Sequence, residues 1–392
     1  MRIVLTGGGT GGHLIPFEPL IEAIRDYHLA TKNELPKRLD PEKCQIFFLG
    51  PSDKKTKEFF AQYDIPVFSI VSGKLRRYAS PLTIIDLFFR LPFGILLALF
   101  RMWFIMPDVV ISKGGYGSLP TILAAVFYRI PILLHESDVV MGMANRTMAR
   151  FSNAIALSHE LTRETVLKKY QNKLFVTGLP VRRELSLVNI HEAKTFFNIS
   201  DLERVLLVMG GSQGAEQINT ILLETLNSLI TDITIIHITG ESNFQKVSTV
   251  AQELLASSPR KNAYKVFPYL TGKMSYAFSA ADLVVSRAGA TTLAELAHLQ
   301  KPVLLIPLAT SANQHQQKNA ELFERYGAAR VLESNNVTRS LFERAVRGII
   351  DSPETRASLS QAMSKMDTPR AAQDIAQLSF TLACGFRPTS HD

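Results

Sequence analysis

Apolar residues in this chain fall into short dense runs, separated by stretches of helical periodicity. In the first half the runs are 2–6, 44–49, 66–71, 108–112, 131–135 and 153–157. None alternates cleanly between apolar and polar, which is the pattern of parallel strands covered on both faces. The stretch after the first run carries Leu14, Phe17, Leu20, Ile21 and Ile24 at three-and-four spacing, predicting a helix over Leu14 to Arg25. Residues 173–183 predict a last strand and a turn holding Gly178, Pro180, Arg182 and Arg183. Charged residues 184–204 then lead into a second series, with strands at 204–209, 234–238, 263–267, 282–286 and 302–306. Its helices fall at 244–256, 273–281, 290–299 and 314–326, followed by 338–350, 353–365 and 369–383. Strands alternating with helices predict doubly wound α/β domains. The boundaries are 1–181 for the first domain and 182–370 for the second, with 371–392 a terminal helix packing back on the first.

Four glycine turns sit between strands and helices: Gly7 to His13, Gly114 to Ser118, Gly210 to Ala215 and Ser286 to Ala290. Glycines let an anion approach the backbone, and a following helix start aims N–H groups and a positive dipole end at it. The first turn also satisfies G-x-G-x-x-G, yet Leu49 is followed by Gly50-Pro51-Ser52, and the nearest acid is Asp53. A nicotinamide dinucleotide site wants an acid closing that second strand, so this chemistry is disfavoured. His13 stands where loop becomes helix and suits a general base or an anion-facing donor. His135 and Glu136 close a strand, with Asp138 two residues beyond; ligand contact and loop bonding are both open to them. Glu295, one turn into a helix, suits acceptance of two vicinal hydroxyls, or serves only the helix dipole. The run Asn313-Gln314-His315-Gln316-Gln317-Lys318-Asn319 suits sugar hydroxyls, or is a solvated polar face. No two aspartates stand two apart, so a leaving diphosphate falls to helix ends and cations, with Arg182 the obvious one.

Residues 81–106 form the most apolar stretch, with charges at Asp86, Arg90 and Arg101 and a proline at 92. A membrane-crossing helix wants about 20 uninterrupted apolar residues. Here Pro92 predicts a break near Leu91, giving a pair of helices. Asp86, Arg90, Gly94, Ala98 and Arg101 line one side of a helical wheel, leaving Phe, Leu, Ile and Trp elsewhere. That suits helices lying on a bilayer, with Lys74, Arg76 and Arg77 meeting anionic headgroups across a patch at about 74–106. Packed core helices are the other reading.

The chain has 392 residues, 46% of them hydrophobic and 20% charged, which is long enough for two cores. Cys44 and Cys384 are its two cysteines, which disfavours a disulfide or zinc framework. The N-terminal run before the glycines is too short for a signal peptide. A net charge of +8 and a pI near 9.4 suit nucleic acid, an anionic membrane or phosphorylated substrates alike.

Taken together, Gly8-Gly-Thr10-Gly-Gly-His13-x-x-Pro16, Gly114-Gly-Tyr-Gly-Ser118, His135-Glu136, Gly210-Gly-Ser-Gln-Gly-Ala215 and Ser286-Arg-x-Gly289 with Glu295 resemble the MurG family. Its members are peripheral-membrane N-acetylglucosaminyltransferases of peptidoglycan synthesis, and the likeness runs nearly the whole chain. It implies the GT-B fold, two facing Rossmann-like domains with parallel sheets and a cleft between them. It further implies inverting transfer of GlcNAc from UDP-GlcNAc to the 4-hydroxyl of MurNAc in undecaprenyl-diphospho-MurNAc-pentapeptide, without metal or cofactor. Carried over by position, Thr10, Gly11, Gly12 and Asp138 lie beside the donor sugar. Arg182 and Ser212 meet the diphosphate, and Leu270 lies by the uracil. Ala290, Thr291, Thr292, Leu293, Ala294 and Glu295 hold phosphates and ribose, and Gln316 the GlcNAc hydroxyls. Gly114, Gly115, Tyr116, Gly117 and Ser118 face the acceptor. His13 takes the hydroxyl proton, with Asp138 and Glu136 as alternatives. Two positions depart from the family pattern: Asp138, where many members carry Asn, and Leu179 before Pro180.

The same resemblance implies a place on the cytoplasmic face of the plasma membrane, with an anionic membrane surface and other cell-wall synthesis enzymes as partners and no nucleic acid. The rival readings are a related transferase with another lipid acceptor such as diacylglycerol, a nicotinamide-dependent oxidoreductase, and a membrane-surface scaffold without chemistry.

Overall fold

The computed structural model describes residues 1–8, 14–36, 39, 42–73, 86–210, 215–270, 272–309, 311 and 314–388. Thr10, Gly11, Gly12, His13 and Ser212 lie outside them, as do Lys74, Arg76, Arg77 and Asn313.

The chain divides into two compact units, one of Met1–Pro180 with Thr368–Asp392 and one of Val181–Asp367. The first unit holds seven parallel strands: β1 (Arg2–Thr6), β2 (Gln45–Gly50), β3 (Val67–Ser69), β4 (Val109–Ser112), β5 (Ile132–Glu136), β6 (Ala154–Leu157) and β7 (Leu174–Val176). Their order is β3-β2-β1-β4-β5-β6-β7. Valine, isoleucine and leucine fill β1, β4 and β5 because helices cover both faces. One face packs Ile3, Leu5, Val109 and Ile111 against the Phe17–Thr31 helix and the Ala371–Ala383 helix. The other packs Val4, Val110 and Leu134 against Ala98 and Met102 of the Leu91–Ile105 helix. Cys44 and Cys384 form no disulfide and pack against the first of these cores. Burial pushes the Cys44 thiol up to about 11, which leaves it unreactive at neutral pH.

The second unit holds β8 (Arg204–Met209), β9 (Ile233–Ile238), β10 (Tyr264–Phe267), β11 (Leu283–Ser286), β12 (Val303–Leu305) and β13 (Arg330–Val331). All are parallel, in the order β10-β9-β8-β11-β12-β13. In each sheet the order reverses once beside the first strand, between β1 and β4 and between β8 and β11. In such sheets ligands collect at the carboxyl ends of the strands flanking that switch.

Two expectations need correction, and one strand is new. The helix predicted over Leu14 to Arg25 spans Phe17–Thr31, because Tyr27 and His28 find a partner in Phe380 far along the chain. Residues Arg330–Val331 form a strand that no apolar run announces. The break near Leu91 does not occur: Asp86–Arg90 forms a π-helical turn that runs directly into the Leu91–Ile105 helix. A wide turn spares the hydrogen bond that Pro92 cannot donate, and Pro sits within the first helical turn, where that bond is dispensable.

The orientation of that helix sets which of its sides meets protein. Asp86, Gly94, Ala98 and Met102 are buried against the unit. Phe89, Trp103 and Phe104 are 70%, 62% and 68% exposed, with Phe127 of the next helix at 70%. Arg90 pairs with Asp86 at 2.8 Å, and Arg101 lies over the Phe68 ring. Among the described residues, Phe88–Ile105 is the one helix long and apolar enough to cross a membrane. Its small and polar side is the side that faces protein.

Candidate active site

In the first unit the site is built where β1, β4 and β5 end. Gly7 and Gly8 follow β1, and the Gly114 turn follows β4. The turn is closed from within, since Ser112 Oγ accepts from Gly114 N (3.1 Å) and Ser118 Oγ donates to Gly114 O (2.7 Å). Ser118 is thereby buried, while Gly115 and Tyr116 stay half-exposed. Gly114 has φ +84° and lies so close to Asn145 that any Cβ would overlap that amide.

Asn145 in turn belongs to a loop that Glu136 holds. One Glu136 oxygen accepts from Asp138 N (3.0 Å), the other from Gly142 N (3.0 Å) and Asn145 Nδ2 (2.7 Å). Burial, then the charge of Asp138, pushes the Glu136 carboxyl up. His135 is fully buried, with Nε2 3.1 Å from Gly178 O. A carbonyl only accepts, so Nε2 carries the proton and Nδ1 is an acceptor. Lys113 Nζ lies 2.6 Å from that Nδ1 and 3.0 Å from Ser137 Oγ. Burial pulls the Lys113 ammonium down to about 7, against Glu136 and Asp138. Burial, then the Lys113 charge, holds His135 well below the ordinary imidazole range. His135 and Glu136 are therefore loop-bonding groups, and Asp138 is the half-exposed carboxylate of the segment. Burial also pulls His159 down to about 4, with Asp138 opposing.

The second unit repeats the plan at β8 and β11. Gly210 follows β8. β11 ends at Ser286, then Arg287, and the Ala290–His298 helix starts behind Gly289. Like Lys113 after Ser112, Arg287 is a buried cation, bonded through Nη1 to Ile306 O (2.8 Å) and Nη2 to Gln217 Oε1 (3.2 Å). Ala290, Thr291, Thr292 and Ala294 are half-buried, whereas the Leu293 side chain enters the core, so a ligand at Leu293 meets only backbone. Glu295 Oε1 accepts from Arg182 Nη2 at 2.9 Å. Burial pushes the Glu295 carboxyl up, and Arg182 opposes it. Leu270 is buried, at the exit of β10. The amide run divides: Gln316 Oε1 accepts from Leu308 N (3.0 Å), while buried Asn319 ties its helix to Ala288 O (3.1 Å).

Asp53 caps the Lys54–Ala61 helix through Thr56 N (2.8 Å), so that acid has structural work. Among the described residues no group of His, Cys, Asp and Glu is placed to hold a metal ion. Lys113 and Asn145 have no part in what the sequence predicts, while Arg287 enters there only within the Ser286-Arg-x-Gly289 motif and Asn319 only as the end of the amide run. The signal that finds the two cations is shared: serine then cation at a strand end, just before a glycine turn.

Comparison with known proteins bears on both units. Residues 3–157 match the glycosyltransferase family 28 N-terminal domain and residues 205–377 its C-terminal domain. A Treponema denticola UDP-N-acetylglucosamine–N-acetylmuramyl-(pentapeptide) pyrophosphoryl-undecaprenol N-acetylglucosamine transferase is 33% identical over 389 residues, 95% of this chain and 96% of that protein. Transferase 3 of that name from Bacillus thuringiensis (strain Al Hakam) is 34% identical over 375 residues, 95% of this chain and 97% of its own. The crystal structure of Acinetobacter baumannii MurG superposes with a TM-score of 0.72 at 22% identity, covering 96% of this chain and 98% of that one.

Proposed function

Since the chain belongs to the MurG family of N-acetylglucosaminyltransferases, built from glycosyltransferase family 28 N- and C-terminal domains on the GT-B fold, we propose how its two units divide the work. The enzyme moves GlcNAc from UDP-GlcNAc to undecaprenyl-diphospho-MurNAc-pentapeptide, a step of peptidoglycan synthesis; the likeness across 95% of the chain carries that assignment.

The second unit takes the donor. This is supported by the joint placement of a helix start at Ala290, Glu295 five residues on, and Arg182 bonded to it. Glu295 Oε1 is held by Arg182, and Oε2 is directed to the ribose hydroxyls. The N–H groups of the 290–294 turn and Ser212 take the phosphates. Leu270 flanks the uracil, and Gln316 reaches the GlcNAc hydroxyls.

The first unit takes the acceptor, its diphosphate against the Gly114–Ser118 turn. The 4-hydroxyl of MurNAc attacks the anomeric carbon opposite UDP, and positive charge builds on the ring as the bond to UDP stretches. His13 accepts the hydroxyl proton, with Asp138 the carboxylate alternative and Thr10, Gly11 and Gly12 beside the sugar. Glu136 supports the loop, because both its oxygens are already engaged. The Phe88–Ile105 helix and Phe127 rest on an anionic membrane surface at the cytoplasmic side, which the outward aromatics and the +8 net charge support. Other cell-wall synthesis enzymes work at the same surface.

The test is transfer of labelled GlcNAc from UDP-GlcNAc to the lipid-linked MurNAc-pentapeptide in the presence of EDTA. Turnover is expected with this acceptor and none with diacylglycerol; the reverse preference refutes the assignment. His13→Ala is expected to abolish transfer while UDP-GlcNAc still binds, and near-normal turnover removes His13 as the base.

A further inference from the structure

The buried Lys113 ammonium has no role in the division of work above, yet it directly precedes the turn assigned to the acceptor. It extends from the last residue before the Gly114 turn, and it is 3% exposed. It reaches sideways to β5, bonding His135 Nδ1 at 2.6 Å and Ser137 Oγ at 3.0 Å. His135 continues the line from its other nitrogen to Gly178 O at 3.1 Å. Gly178 has φ +88° and packs so tightly on Thr368 that a Cβ would overlap that side chain. Pro180 and Thr368 are where the chain leaves the first unit and re-enters it. One row of side chains therefore joins the turn after β4, the loop after β5 and both crossing points of the chain.

A buried ammonium is costly unless its donors are used, and a hydrophobic residue would fill this space more cheaply. Its cost is accepted where directional bonds are needed. Here the donors fix Ser137, the residue next to Asp138, and fix the His135 ring as the Nε2–H tautomer. Asn145 closes the arrangement, lying on Gly114 and bonding Glu136 at 2.7 Å.

We infer that Lys113 is a positioning residue for the transfer reaction, holding the Gly114 turn and the Ser137–Asp138 segment in register through His135 and Ser137. The ammonium itself is too deeply buried to touch substrate. The inference rests on the reading that the Gly114–Ser118 turn faces the acceptor.

The experiment compares the full chain with Lys113→Met, Ser137→Ala and Tyr116→Ala, using the lipid-linked MurNAc-pentapeptide and UDP-GlcNAc. Lys113→Met is expected to raise the acceptor KM about tenfold or more, the scale of a lost charged hydrogen bond. Ser137→Ala, which removes one bond and leaves the cation paired, is expected to raise it about threefold. The UDP-GlcNAc KM and the melting temperature of Ser137→Ala stay at the parent values. A fall in kcat alone with both KM values unchanged, tracking a lower melting temperature, overturns the inference and leaves Lys113 a fold residue. So does an unchanged acceptor KM in both variants while Tyr116→Ala is impaired. An unchanged acceptor KM in Tyr116→Ala refutes the acceptor-turn reading itself, and with it the inference.

Discussion

At the scale of single residues, the Arg182–Glu295 pair is the part of the proposed donor site that a pH titration tests most directly. Glu295 sits in a buried position, so its carboxyl lies above the ordinary range, and Arg182 limits that rise. Donor affinity is therefore expected to fall as pH drops through this raised value, since the protonated acid is a poorer acceptor for two hydroxyls. Arg182→Met removes the opposing cation, raises the carboxyl further, and moves the fall in UDP affinity to higher pH. Calorimetric titration of UDP at several pH values checks this; superimposable profiles refute it. Glu295→Gln is expected to weaken UDP binding roughly tenfold, in line with a lost charged hydrogen bond. Gly114→Ala combines a left-handed backbone with overlap on Asn145 and is expected to cost more than about 1–2 kcal/mol in thermal unfolding. Glu295 was legible in the sequence because it follows a glycine turn at helical spacing. Lys113 was not, because a lysine at the end of a strand reads as a solvated charge until His135 and Ser137 are seen around it.

At the scale of elements, legibility followed burial. The runs for β1, β4, β5, β8 and β11 could be read because strands covered on both faces are apolar throughout. β13 is two residues long and leaves no such run. The end of the Phe17–Thr31 helix depends on Phe380, more than 300 positions later by the numbering, and no local pattern carries that. The Leu91–Ile105 helix has the reverse arrangement of an ordinary surface helix, with glycine and alanine inward and phenylalanine outward. Because Trp103 and Phe127 pack loosely at the surface, Trp103→Ser with Phe127→Ser is expected to leave the fold and the UDP affinity intact. Binding to vesicles containing anionic lipid should weaken by tenfold or more, at about 1.5–3 kcal/mol per buried aromatic. Co-sedimentation measures it, and undiminished binding refutes the membrane role of this face.

At the scale of the whole molecule, the first unit is assembled from two stretches of chain. Ile375, Ala376, Leu378 and Phe380 complete the core around Phe17 and Leu20. Removing Thr368–Asp392 is expected to lose the cooperative unfolding transition of the first unit while that of Val181–Asp367 persists, as calorimetry would report. Phe380→Ala is a milder form of the same test, costing about 3–5 kcal/mol if the site does not collapse. The interrupted connectivity also orders events on the ribosome. The second unit is continuous and emerges whole, whereas the first lacks a core helix until the stretch beyond Thr368 has been made. The outward aromatic face is thus carried on an incomplete scaffold until those residues are in place. A product terminated before Thr368 would carry that face on an unfinished core and be left to proteolysis.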